Sequence, residues 1–235
     1  MVRSEPVAVA RTKSLWVAIA ELAAVAFLAV AVSALLVALG FGEAQGQEKP
    51  KKKRTRELVL RGQQFPDTLA LVLDASGSMN GEGYAIAIRE AMNIATQAGD
   101  AGKVRFFAFG ASCDPEPQSW INLPDAEALL LAKTWLEMHG SGGGTDMESA
   151  MAFVLALPDE PLGVILFSDE LPDSGPDNTA AAIHRANMAR NSAAVIGVVG
   201  VNPPERPDGE LSLGLLIAKP TGGAYIRNTV RKPTE

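Results

Sequence analysis

The chain has 235 residues, 47% of them hydrophobic, with one cysteine and a formal net charge of −6. That apolar content suffices for a packed core and excludes wholesale disorder, while a lone cysteine excludes an intrachain disulfide and a cysteine-based zinc site. The charge is split: residues 1–61 hold 10 Lys/Arg against 5 Asp/Glu, and residues 62–235 hold 11 against 22. A basic leading region therefore precedes an acidic body, which would repel the phosphates of DNA or RNA, so no nucleic-acid partner is expected.

Residues 22–41, LAAVAFLAVAVSALLVALGF, carry no charge. A helix of that length rises about 30 Å, the thickness of a bilayer's hydrocarbon core. The apolar stretch extends back to Leu15 across Glu21. A secretory signal has a shorter apolar core, of about 7–15 residues, and a buried soluble helix is the third alternative. The reading adopted is an N-terminal tail over 1–14, a single-pass transmembrane helix over 15–41 and a basic linker over 42–65. The linker carries KPKKKRTR at residues 49–56, either a solvated tract or a contact for anionic lipid headgroups. It outweighs the upstream Arg3, Arg11 and Lys13, so the positive-inside tendency places the C-terminal domain on the cytoplasmic side. A long domain can also be exported regardless of such charges, so the side of the membrane stays open.

Beyond the linker, short apolar runs alternate with helical patterns. Strands are expected at residues 68–73, 103–109, 162–167, 193–201 and 223–227, with a short edge strand in 118–123 and one more near 57–60 whose placement is open. Helices are expected at 84–97, from 125 to about 139, at 147–157, at 178–191 and, briefly, at 209–219. Asp125 has the chemistry of an N-cap and Gly140 that of a stop. Continuously apolar strands separated by helices indicate a mostly parallel sheet covered on both faces, hence a doubly wound α/β domain over 66–230, with a tail over 231–235. Such sheets bind ligands at the carboxyl ends of their strands, beside a topological switch point.

The strand ends carry the chemistry. The first long strand runs into Asp74-Ala-Ser76-Gly-Ser78, the third central strand runs into Ser168-Asp169-Glu170, and the glycine-rich loop GSGGGTD delivers Thr145 at a helix start. Asp74, Ser76, Ser78, Thr145 and Asp169 offer two carboxylates and three hydroxyls, all hard oxygen donors. Such a set suits Mg²⁺, with Mn²⁺ or Ca²⁺ as alternatives, and not zinc or copper. These residues resemble the von Willebrand factor type A (VWA) domain and its metal-ion-dependent adhesion site, whose motif is D-x-S-x-S, a distant Thr and an Asp at a later strand end. LVLDASGSM, GGGTDMESAM and PTGGAYIR extend the likeness over about residues 66–230. The resemblance implies an α/β fold with one divalent cation, bound by the five residues above. It also implies protein binding, with a partner's acidic side chain completing the cation's coordination. The chain departs from the family in reading Ser-Asp-Glu where members often have Thr-Asp-Gly. Glu170 adds negative charge, which would either hold the cation more tightly or repel an acidic ligand.

Blander readings account for less of the pattern. Ser, Asp and Gly form turns for backbone reasons alone, but the turn-only reading does not account for Thr145 and Asp169 as well. GSGGGTD could hold a phosphate at a helix N-terminus, yet it lacks the lysine of a P-loop. Either Thr145 or Asp146 could cap its helix. His139, at a helix end, suits the helix dipole, and His184 suits packing. No G-x-S-x-G elbow is present, and Cys113 has no evident base. The leading expectation is a membrane-tethered, non-enzymatic protein-binding module. The alternatives are a metal-assisted phosphoester hydrolase, with Glu170 as its only nominated base, and an accessory or regulatory subunit of a larger envelope or ATPase complex.

Overall fold

The computed structural model describes residues 58–228, apart from 61, 99–101, 118, 159–160, 206 and 208–209. The expected tail 1–14, the transmembrane helix 15–41, most of the linker 42–65 and the tail 231–235 lie outside the described residues. Among the described residues no helix is long and apolar enough to cross a membrane.

The main sheet is built on β3 (Thr68–Asp74), β4 (Lys103–Phe109), β7 (Gly163–Ser168), β8 (Val195–Val201) and β9 (Tyr225–Asn228), in the spatial order β4-β3-β7-β8-β9, all parallel. Two short strands, β5 (Cys113–Pro115) and β6 (Ile121–Asn122), pair antiparallel with β4 at its outer edge. The sheet is thus mixed, as an α/β fold with an antiparallel margin. Of the expected edge strand in 118–123 only two residues are strand. The other half of this margin, Cys113–Pro115, falls in a polar stretch without strand character of its own.

Alternation along the strands explains their continuous apolar sequence. Leu69, Leu71 and Leu73 of β3 face one core with Phe106 of β4, Ile165 and Phe167 of β7, and Val199 and Val201 of β8. That core is covered by α1 (Glu82–Gln97) and α2 (Ala126–His139). Ala70 and Val72 face the other core with Phe107, Val164, Leu166 and Val198, beneath α3 (Met147–Leu155), α4 (Pro176–Met188) and α5 (Leu213–Ala218). Each fully buried Leu, Ile or Phe contributes about 1.5–3 kcal/mol over its exposed state.

Helix ends follow the local chemistry. Asp125 caps α2 by accepting from Ala128 N–H at 2.9 Å, and Gly140 ends it at φ 72°. Helix α4 starts earlier than its periodicity suggests because Pro176, with its fixed φ, occupies the first turn. The expected strand near 57–60 is β1 (Leu58–Leu60), which pairs antiparallel with β2 (Gln63–Phe65) as a separate two-stranded sheet. Its closing residue, Phe65, is buried in the first core. The ring fits because β7 and β8 carry glycine beneath it: a Cβ on Gly197 would stand 2.8 Å from the Phe65 ring, and one on Gly163 3.3 Å from it.

Connections from β3 lead to α1 on one face, and those from β7 lead to α4 on the other. The two strands are neighbours, so their carboxyl ends flank the switch point of the sheet.

Candidate metal centre

Asp74 is the last residue of β3 and is fully buried. Both its oxygens are engaged: Oδ1 accepts from Ser76 N–H at 3.0 Å, and Oδ2 accepts from the Ser168 hydroxyl at 2.7 Å. The first bond curls the chain directly after the strand into a short 3₁₀ turn, Gly77–Met79, with buried Met79 fixing it from below. The curl brings the Ser76 and Ser78 hydroxyls within 3.1 Å of each other. Ser76 is buried and Ser78 is open to solvent.

The glycine-rich loop is stitched to this turn by its backbone. Gly142 N–H donates to Ala75 O at 2.7 Å, Gly77 N–H to Gly143 O at 3.2 Å, and Asp146 N–H to Gly110 O at 2.9 Å. A side chain on Gly110 would meet Gly142 O at 2.9 Å, so glycine permits this close approach. Asp146 caps α3, accepting from Ser149 N–H at 3.0 Å, which settles the choice of cap. Thr145 is buried, and its N–H donates to Asp173 Oδ2 at 2.8 Å. Its hydroxyl makes no hydrogen bond among the described residues and is not joined directly to Asp74, the serines or Asp169.

At the end of β7, Asp169 Oδ1 accepts from Leu171 N–H at 3.2 Å. Asp169 lies close enough to Asp74 for its charge to act on it. Burial, first of all, pushes the Asp74 carboxyl above its ordinary value, and the Asp169 charge adds to this; the Ser76 and Ser168 hydrogen bonds pull the other way. Among the described residues neither carboxylate has a cationic side chain in an ion pair. Nor do these residues contain a group of three or more His, Cys, Asp or Glu side chains placed to hold a metal. The rim holds two carboxylates among hydroxyls, a donor set for a hard cation.

Three features were not legible beforehand. Ser168 is a buried hydroxyl at the end of an apolar strand, and it donates to Asp74. Asp173 holds the Thr145 backbone. Glu170 turns inward: it is 2% exposed, and its Oε2 accepts from Gly214 N–H at 3.0 Å in the first turn of α5. Its side chain is committed to the domain interior. The histidines serve packing and local pairing: His184 Nε2 lies 2.8 Å from Leu216 O, and His139 Nε2 lies 3.7 Å from Asp114 Oδ2.

The comparisons agree with this architecture. No curated protein matches the sequence. Among solved structures, a von Willebrand factor type A protein from Catenulispora acidiphila is similar with a TM-score of 0.57 and 18% identity, over 72% of this chain and 39% of that one. The PilB minor pilin from Streptococcus sanguinis is similar with a TM-score of 0.50 and 13% identity, over 73% and 58%. The conserved hypothetical protein BatB from Bacteroides thetaiotaomicron gives 0.48 and 19%, over 69% and 90%. The likeness to the first two of these structures is one of fold. A family model described as "VWA domain containing CoxE-like protein" matches residues 44–213, and the chain belongs to that family of VWA proteins.

Proposed function

We propose that this chain is a membrane-tethered protein-binding module that recognises its partner through one divalent cation at the carboxyl rim of its sheet. Asp74, Ser76, Ser78, Thr145 and Asp169 would hold the cation, Mg²⁺ in the first instance and Mn²⁺ or Ca²⁺ with the same donors. The observation that carries the reading is a fully buried Asp74 facing a second carboxylate with no cationic side chain paired to either among the described residues. Burying charge without a counter-charge is costly, by several kcal/mol per ion. A bound cation would offset that cost and supply a positive centre for an acidic side chain of the partner. The Thr145 hydroxyl, on a buried residue and without a hydrogen bond among the described residues, fits the same role.

The tether rests on the uncharged run 22–41 and the basic tract behind it. A hydrolytic role is disfavoured by Glu170, whose carboxylate is buried and held by Gly214 rather than open to a water molecule. A place as an accessory subunit of a larger envelope or ATPase assembly is a special case of partner binding.

The test is calorimetric titration of the full chain, in detergent micelles, with MgCl₂. One binding site per chain is expected for the wild type and none for Asp74→Ala. Capture of partners from the membrane fraction should require the cation and fail in EDTA. A wild-type chain that takes up no divalent ion, or an Asp74→Ala chain that captures partners normally, overturns the proposal.

A further inference from the structure

Glu170 occupies a position that side chains rarely accept. Its φ is 65°, in the left-handed region that disfavours a residue with a Cβ. Three sets of contacts hold it there. Its N–H donates to the Ser168 hydroxyl at 3.0 Å, and that hydroxyl donates to Asp74 Oδ2 at 2.7 Å. Directly after it, Leu171 N–H returns to Asp169 Oδ1 at 3.2 Å. Its side chain reaches α5, where Oε2 accepts from Gly214 N–H at 3.0 Å. The seat for this side chain is built. A Cβ on Gly200 would stand 2.6 Å from Oε1, and one on Gly214 3.0 Å from it. The Tyr225 hydroxyl lies at the same spot, 3.0 Å from the Gly200 Cβ position. Oε1 is buried there, without a well-formed hydrogen bond among the described residues.

One residue thus connects the two carboxylates of the rim. Through its N–H and Ser168 it reaches Asp74, and through the turn it imposes it aims Leu171 N–H at Asp169. The side chain fastens this turn to α5, as the Ser168 hydroxyl fastens it to β3. We infer that Glu170 is a positioning residue: its carboxylate, seated on Gly214 beneath Gly200, fixes the left-handed turn that sets Asp74 and Asp169 in register for a cation. This rests on the cation reading for its purpose but not for its geometry. The acid stands at a φ that the turn alone would give to glycine.

The test compares Glu170→Gly with Glu170→Gln in the full chain. Glycine suits φ 65° and keeps the backbone free to fold while removing the tether. Glutamine keeps an acceptor for Gly214 N–H and removes the charge. In metal-free protein, amide hydrogen exchange at Gly214 and Leu171, corrected for intrinsic rates, should quicken about tenfold in Glu170→Gly and stay within about twofold of wild type in Glu170→Gln. Mg²⁺ affinity by calorimetry should follow the same order, about tenfold weaker in Glu170→Gly and within about twofold in Glu170→Gln. Unchanged exchange at Leu171 in Glu170→Gly overturns the inference. So does a Glu170→Gln chain as impaired as Glu170→Gly, because charge rather than position would then be at work. If wild type binds no Mg²⁺ while Leu171 exchange responds as described, the cation reading falls and the positioning role stands.

Discussion

The four inner parallel strands are alike along their length and unlike at their tips. β4 ends in Phe109 and β8 in Val201, both fully buried and apolar. β3 ends in Asp74, and β7 ends in Ser168 with Asp169 next, all buried and polar. The difference tracks topology rather than burial. β3 and β7 flank the switch point, where the departing chains part toward opposite faces and leave a crevice. Polar groups are concentrated where the fold supplies donors, and the fold supplies donors where its connections diverge.

Moving a carboxylate one strand over should therefore break the domain. Phe109→Asp removes a buried ring and leaves an acid on an apolar core, an expected loss of about 4 kcal/mol or more in urea unfolding. The reverse change should be mild. Asp74→Asn, measured in EDTA, is expected to be about 1 kcal/mol more stable than wild type near neutral pH, since it removes a desolvated charge. The sign follows from linkage: the folded Asp74 carboxyl lies above its ordinary 3.8. Its contribution is fully present below that value and is lost as pH rises through the folded value. The advantage of Asp74→Asn should thus vanish in acid, and thermal melts at several pH values would show it. With Mg²⁺ present the order should reverse, because only wild type gains stability from a bound ion.

The smallest expected effect lies on β5, at the margin. Burial, together with the neighbouring Asp114 charge, pushes the Cys113 thiol up to about 12. Alkylation by iodoacetamide at pH 8 should be far slower in the folded chain than in urea, because the thiolate is the reactive form. Equal rates would show that this margin is open, unlike the rest of the sheet.

Much of this was legible in the sequence for a physical reason. A strand buried on both faces must be apolar at every position, so LALVL, FFAF, VILF and VIGVVGV announce themselves. Asp125 and Gly140 mark a helix through local backbone chemistry, and Asp74, Ser76 and Ser78 are neighbours in the chain. Other features depend on partners far away in sequence. β5 is a strand only because Phe107–Phe109 pair with it. Ser168 reads in sequence as a strand terminus, and its role comes from Asp74, whose Oδ2 accepts from its hydroxyl at 2.7 Å. The direction of Glu170 is decided by Gly200, Gly214 and Tyr225, each 30 or more positions away. A negative residue beside a cation site reads as surface charge from sequence alone; only the seat beneath it shows that it points inward.

Phe65 has a consequence for how the molecule bears load. It plugs the hairpin of β1 and β2 into β7 and β8 at the amino ends of the strands, the pole opposite Asp74. The chain thus arrives at one pole while its rim of oxygen donors sits at the other. A pull between the two would run along β3, whose ladders to β4 and β7 lie on both sides and would have to shear together rather than unzip one bond at a time.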